Sequence, residues 1–113
     1  MHPLYQFIQT PTFTSLLDET KEPGLLEAIE AEIIRNPQGG SLLRGGMRKI
    51  RVPSTRRAEG KSGGYRVWFY HHVPDNMLLL FLLDKRESAD LTPAQEEGVY
   101  LGLKKVLKQL RGK

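Results

Sequence analysis

"MRKIRVPSTRRAEGKSGGYRVWFYHHVPDNMLLLFLL", residues 47–83, decides what kind of fold the chain can make. Between Met47 and Pro53, Ile50 and Val52 alternate with Lys49 and Arg51, the two-residue period of a strand with one apolar and one basic face. Tyr65 to His72 is a strand rich in aromatic residues, with Val67 and Phe69 on one face and Arg66, Trp68 and Tyr70 on the other. Pro74-Asp75-Asn76 supplies a hairpin turn. Met77 to Leu83 is apolar on both faces, as a strand in the middle of a sheet must be. Between the first two strands, STRRAEGKSGG (54–64) has no apolar periodicity and reads as an exposed, mobile basic loop.

Working outward, Leu4 to Gln9 alternates loosely and predicts a short first strand. Thr10-Pro11 is an N-cap followed by proline at the first helical position, where its missing N–H costs nothing. A helix from Pro11 to about Glu19 carries Phe13, Leu16 and Leu17 inward, and Pro23-Gly24 breaks it. A second helix from about Leu25 to Arg35 places Leu25, Leu26, Ile29, Ile33 and Ile34 on one face. Asn36-Pro37 ends it, because a residue before proline disfavours helical backbone. Downstream, Thr92-Pro93-Ala94-Gln95 is a cap, a proline and a capping-box glutamine, opening a helix whose buried stripe is Val99, Leu103, Val106 and Leu110. Gly98 and Gly102 lie one turn apart on that helix and predict close packing against the sheet. The whole chain, 1–113, is therefore expected to be one α+β domain: a small antiparallel sheet with an N-terminal helical hairpin and a C-terminal helix. Helices covering one face leave the other open to carry Lys49, Arg51 and Arg66.

Composition bounds the function classes. The chain is 39% apolar and 27% charged, the balance of an ordinary globular protein. Its longest apolar run, Met77 to Leu83, has seven residues, against the roughly 18 that a membrane span needs. The start, MHPLYQFIQTP, lacks the pattern of a signal peptide, and zero cysteines exclude disulfide frameworks and cysteine-based zinc sites. A cytoplasmic location is expected. Charge is segregated: residues 1–34 hold six acids and one base, residues 35–66 nine bases and one acid. The formal +4 thus understates a concentrated basic middle, and a pI of about 9.5 suits a polyanionic partner.

In order along the chain, the RKIRV strand, GGYRVWFY and KRESADLT, preceded by a helical hairpin and followed by a last helix, resemble the RelE/HigB superfamily of bacterial toxins. The likeness runs from about Phe7 to Leu110 and is greatest to the HigB-like branch with a basic, glycine-bounded loop. It implies a RelE-like fold and an enzyme, a ribosome-dependent endoribonuclease that enters the A site, cuts mRNA and inhibits translation. It also implies a type II toxin-antitoxin system. Its antitoxin would be a small helix-turn-helix protein encoded nearby, and operator DNA would be met only through the complex. No cofactor, metal or membrane is called for.

RNA can be cut by its own 2′-hydroxyl, provided a protein moves two protons and stabilises a phosphorane, and clustered cations suit these tasks. Residue by residue, the resemblance puts Lys49 and Arg51 on the active face, Arg66 beside them, and Lys85 and Arg86 at the end of the last strand. Arg48, Arg56, Arg57 and Lys61 are then RNA-binding. The best-known members carry a tyrosine shortly after the KRE motif, where this chain has ADLTP with Thr92 as a helix cap. Each position also has a plainer reading. Lys49, Arg51 and Arg66 are equally what the wet side of a two-faced strand shows, and Lys85 and Arg86 what ends one. Trp68 reads as packed rather than as a stacking platform. His71 and His72, neighbours beside a turn, face opposite sides; Glu87 and Asp90 read as an ion pair and a turn residue. A non-catalytic RNA- or ribosome-binding protein uses the same basic surface. A DNA repressor is disfavoured, since no helix-turn-helix stands out.

Overall fold

The computed structural model describes residues 4–56 and 64–111. In chain order these form β1 (Gln6–Gln9), α1 (Pro11–Thr20), α2 (Leu25–Arg35), β2 (Ser41–Leu42), a 3-10 turn (Arg44–Gly46), β3 (Arg48–Val52), β4 (Tyr65–His72), β5 (Asn76–Asp84) and α3 (Pro93–Arg111). The sheet has five strands in the order β1-β5-β4-β3-β2. The chain is α+β, but the sheet is mixed: β1 runs parallel to β5, and the other pairs are antiparallel. The all-antiparallel expectation is therefore corrected. The side of β5 away from β4 is a row of unpaired backbone groups, and β1 fills it before the chain turns into α1. Thr10 closes that junction. Its N–H donates to Leu79 O at 3.0 Å and its hydroxyl to Leu80 O at 3.1 Å, while Oγ1 caps α1 by accepting from Phe13 N–H at 3.1 Å.

Two cores lie on opposite faces of the sheet. Phe13, Leu25, Ile29 and Ile33 of the helical hairpin pack on Ile50, Val52, Val67, Phe69 and Leu79. On the other face Leu103 of α3, with Val99, Val106 and Leu110 partly buried beside it, packs on Trp68, Leu78 and Leu80. Each fully buried large side chain contributes roughly 1.5–3 kcal/mol, so tertiary burial rather than helix propensity holds these short helices. The open face expected from the sequence is thus half covered. A register shift helps: Trp68 faces Phe81 and Phe69 faces Leu79, so Leu80 is an extra residue and Leu80 and Phe81 both turn toward α3.

Local capping follows the sequence closely. The Thr92 N–H donates to Gln95 Oε1 at 2.8 Å and the Gln95 N–H to Thr92 Oγ1 at 3.2 Å, a complete capping box. Arg44 pairs with Glu97 and lies over the Tyr100 ring at 4.5 Å, fastening the 3-10 turn to α3. That approach requires glycine at position 45, where φ is +72° and a Cβ would run into the Tyr100 ring. Gly98 and Gly102 behave differently from expectation. Nothing lies within 4 Å of a Cβ at either position. They line an apolar groove of about 620 Å³ between α3 and β5 and so face open space rather than a close contact with the sheet.

Candidate active site

The antiparallel register of β3 and β4 sets Arg51 directly opposite Arg66, and Lys49 opposite Trp68. Lys49, Arg51 and Arg66 share the α3 face, at the end of the sheet that α3 leaves uncovered. Cations directly across a strand pair repel, and a third joins them. The last β4–β5 pair is Tyr65 with Asp84, after which Lys85 N–H donates to Gly64 O at 3.1 Å. That bond holds Lys85 close enough for its ammonium to feel both arginines. Partial burial, then Arg66, then Arg51 lower it from the usual lysine value of 10.5, against an opposing pull from Asp90.

Lys49 is the inner member. Its side chain is 13% exposed, its Nζ lies 5.7 Å from the centre of the Trp68 ring, and it donates to Asp90 Oδ2 at 2.8 Å. Asp90 Oδ1 accepts from Leu91 N–H at 2.8 Å, and the neighbouring Ala89 carbonyl accepts from Arg66 Nε at 2.9 Å. Burial alone would raise the Asp90 carboxyl, but Lys49, the Leu91 N–H and Arg66 outweigh it and hold the acid below its usual range. A cleft of about 430 Å³ opens beside Lys49, Ile50, Arg51 and Arg66, along the part of β3 that the two-residue β2 does not reach. Gly40 walls it. With φ at +72° and the Lys49 carbonyl against it, this position has no space for a Cβ.

The remaining expected site residues are not in this group. Arg86 turns back onto Asp84, with its Nη2 3.1 Å from Oδ2 and its N–H donating to Oδ1 at 2.9 Å. It lines a groove with Leu16, Thr20, Tyr65 and Leu82 on the helical-hairpin side of the sheet. Strand alternation has ended by this residue, and the Asp84 carboxylate captures it. Arg48 shares the face of Ile50 and Val52 and donates from Nη1 to Gln38 O at 2.8 Å. Arg56 donates from Nη2 to Thr20 O at 3.1 Å and lies 3.9 Å from Glu22. Arg57 and Lys61 lie outside the described residues.

Trp68 is fully buried and donates from Nε1 to Glu96 at 3.0 Å, so it is a packed aromatic and not a platform for bases. His71 makes a 3.0 Å contact to Pro74 O and an edge contact with Tyr5. Counted along β4, both histidines stand about 15–20 Å from Arg66. Among the described residues no group of three or more His, Asp or Glu side chains could hold a metal ion. No helix among them is long and apolar enough to cross a membrane.

Two acids matter more than their sequence context announces. Asp90 is one. The other is Glu22, in the linker between α1 and α2, whose side chain is 1% exposed. It accepts hydrogen bonds from Ser54 Oγ (2.8 Å), Thr55 N–H (2.6 Å), Thr55 Oγ1 (2.9 Å) and the Tyr65 hydroxyl (2.9 Å). It thereby pins the start of the basic loop and the start of β4 to the helical hairpin. As one of six acids in residues 1–34, it carried no signal in the sequence to single it out.

No family model matches the chain.

Proposed function

We propose that this protein is a toxin of the RelE/HigB kind, an endoribonuclease that needs no metal, cuts ribosome-bound mRNA in the A site and so stops translation in the cytoplasm. What supports the reading is convergence. Lys49 and Arg51 from β3 and Arg66 from β4 line one cleft, and Lys85 beyond β5 lies close enough to feel both arginines, as a reaction on one phosphate needs. A module that only tracks an RNA backbone needs a stripe of charge and no lysine with lowered basicity. The reading brings with it a cognate antitoxin, through which alone operator DNA is met.

The chemistry follows from the positions. Lys85 in its neutral form takes the 2′-hydroxyl proton. The 2′-oxygen bonds to phosphorus as the bond to the 5′-oxygen breaks, and the Lys49 ammonium delivers a proton to that oxygen. Arg66 and Arg51 hold the non-bridging oxygens through their forks. A 2′,3′-cyclic phosphate and a 5′-hydroxyl remain. Each proton transfer contributes about 10²–10⁴ in rate.

Expressed alone, the protein should arrest growth. The purified protein should cut message on programmed ribosomes in EDTA, once ribosome integrity is controlled, leaving cyclic phosphate ends. The single-turnover rate should rise with pH and level off below 10.5, because the base works deprotonated and its basicity is lowered. Lys85→Arg should remove that bend. Normal growth with abundant soluble protein, or fragments with 5′-phosphate ends, would sink the reading. Ribosome binding without fragments would leave a non-catalytic RNA-binding protein.

Docking is a separate expectation. Replacing Arg56, Arg57 and Lys61 with alanine should weaken ribosome binding and reduce the slope of log K against log salt by about 2, as loss of three phosphate contacts would. An unchanged slope would move docking to the exposed Lys104, Lys105 and Lys108 of α3.

A further inference from the structure

Lys49 and Arg51 on β3 and Arg66 on β4 line the cleft, and Lys85 after β5 feels both arginines. Of the acids near them, Glu32 of α2 lines the cleft and pairs with Arg35, whereas Asp90 contacts the cations themselves. Lys49 and Asp90 are 41 residues apart in the chain, so their contact is made by the fold and not by local turn chemistry. Asp90 lies in a short segment strapped to the sheet at two points, Asp90 to Lys49 and the Ala89 carbonyl to Arg66. Within the segment, Ser88 Oγ donates to the Asp90 carbonyl at 2.9 Å, and Glu87 N–H to Asp84 O at 2.9 Å. The two partners differ in access. The Asp90 side chain is 41% exposed and that of Lys49 13%, so the carboxylate is the outer group and caps the ammonium. An anion arriving from solvent meets Asp90 before it can reach Lys49.

We propose that Asp90 is a built-in counter-anion, whose carboxylate holds the place of the phosphate against Lys49 and must give way when RNA enters. The inference rests on reading this cluster as the phosphate site. Asp90 does two opposing things. It lowers affinity, because an incoming phosphate must compete with a carboxylate already bound. It also fixes the Lys49 side chain over Trp68, where the ammonium is aimed before substrate arrives. The group suits the exchange: it stays ionised at neutral pH, and it is the more exposed of the two partners, so a phosphate can replace it from the solvent side. Once Asp90 leaves Lys49, the Arg66 bond to Ala89 still ties the segment to β4, and Leu91 still packs beside Trp68.

The test is Asp90→Asn, which removes the charge and keeps the shape and an oxygen for the Leu91 N–H. The probe is a single-stranded oligoribonucleotide made uncleavable by 2′-O-methyl groups, binding to the isolated full chain. Asp90→Asn should bind it about two- to fivefold more tightly, the size expected of a half-exposed pair. The salt slope should steepen by about 0.7, one more phosphate neutralised. Single-turnover cleavage on ribosomes should nonetheless slow, since Lys49 has lost its anchor, so affinity and turnover move in opposite directions. Asp90→Glu keeps the charge and should return the affinity to the wild-type value.

A merely structural role predicts the reverse: weaker binding in Asp90→Asn together with a lower unfolding midpoint. Affinity that is unchanged or weaker in Asp90→Asn overturns the counter-anion. So does an Asp90→Glu protein that binds as tightly as Asp90→Asn. A distinct failure is one in which Lys49→Ala and Arg66→Ala bind the probe as the wild type does. Then the cluster is no phosphate site, and the nuclease reading falls together with this one.

Discussion

Arg66→Ala should slow cleavage of ribosome-bound message about 10²–10³-fold, the loss usually seen when one donor to a developing oxyanion is removed. Arg66 sits at the centre of the group, opposite Arg51 and one strand from Lys85. Its Nε donates to the Ala89 carbonyl, which aims the guanidinium and leaves its Nη groups available for a phosphate. Stability should barely move, because the substitution loses one exposed hydrogen bond and relieves a repulsion between paired arginines. A shift within about 0.5 kcal/mol is expected. Arg66→Lys keeps the charge without the fork and should recover part of the rate. Lys49→Ala and Arg51→Ala should also be slow, and the double and triple variants should lose less than the product of the single losses if the cations act as one unit. An Arg66→Ala protein that cuts at the wild-type rate would falsify this placement of the site.

Glu22→Ala should destabilise the fold by about 2 kcal/mol, a large share of the 5–15 kcal/mol typical of a domain. Four donors converge on this one carboxylate, and its removal takes the acceptor of the buried Tyr65 hydroxyl and the tie that holds Ser54 and Thr55, at about 1–3 kcal/mol for a buried polar group that loses its partner. Tyr65→Phe removes one donor and leaves the acceptor satisfied by the others, so it should cost about 1 kcal/mol. The pH dependence has a definite sign. Burial by itself would raise the Glu22 carboxyl, but hydrogen bonds from Thr55, Ser54 and Tyr65 outweigh it and bring it below the ordinary 4.5. The stability it supplies is therefore complete above that value, and it is lost as pH falls through the lowered folded-state value. Urea midpoints for wild type and Glu22→Gln should differ most near neutrality and converge in acid. A gap that stays constant down to pH 3 would show that the carboxylate's charge is not what these donors recognise. Loss of Glu22 should also loosen residues 54–56, raising their amide exchange ahead of the core.

Secondary structure was legible because its signals are local. Alternation of Ile50 and Val52 with Lys49 and Arg51 marks a strand wherever it lies, and a threonine followed three residues on by glutamine caps a helix by bonds made within one turn. The same alternation put Lys49, Arg51 and Arg66 on one face, and in the fold they meet there. Arg86 lies apart from that group for a related reason. Alternation stops at Asp84, and beyond a strand end the direction of a side chain depends on which neighbour captures it.

By itself, then, the amino-acid order determined which segments are strands and helices, where they stop, and that the basic residues of two neighbouring strands share a side. Tertiary structure alone decided the parallel pairing of β1, the division of the helices between the two faces, and the places of Asp90 and Glu22. A two-residue or 3.6-residue period states that a segment has a buried side, but not what buries it. Lys49 meets Asp90 across 41 residues, and Glu22 meets Tyr65 across 43. Neither pair leaves a trace in local pattern, because each acid is held by groups that only the packing of the sheet against its helices and loops brings within reach.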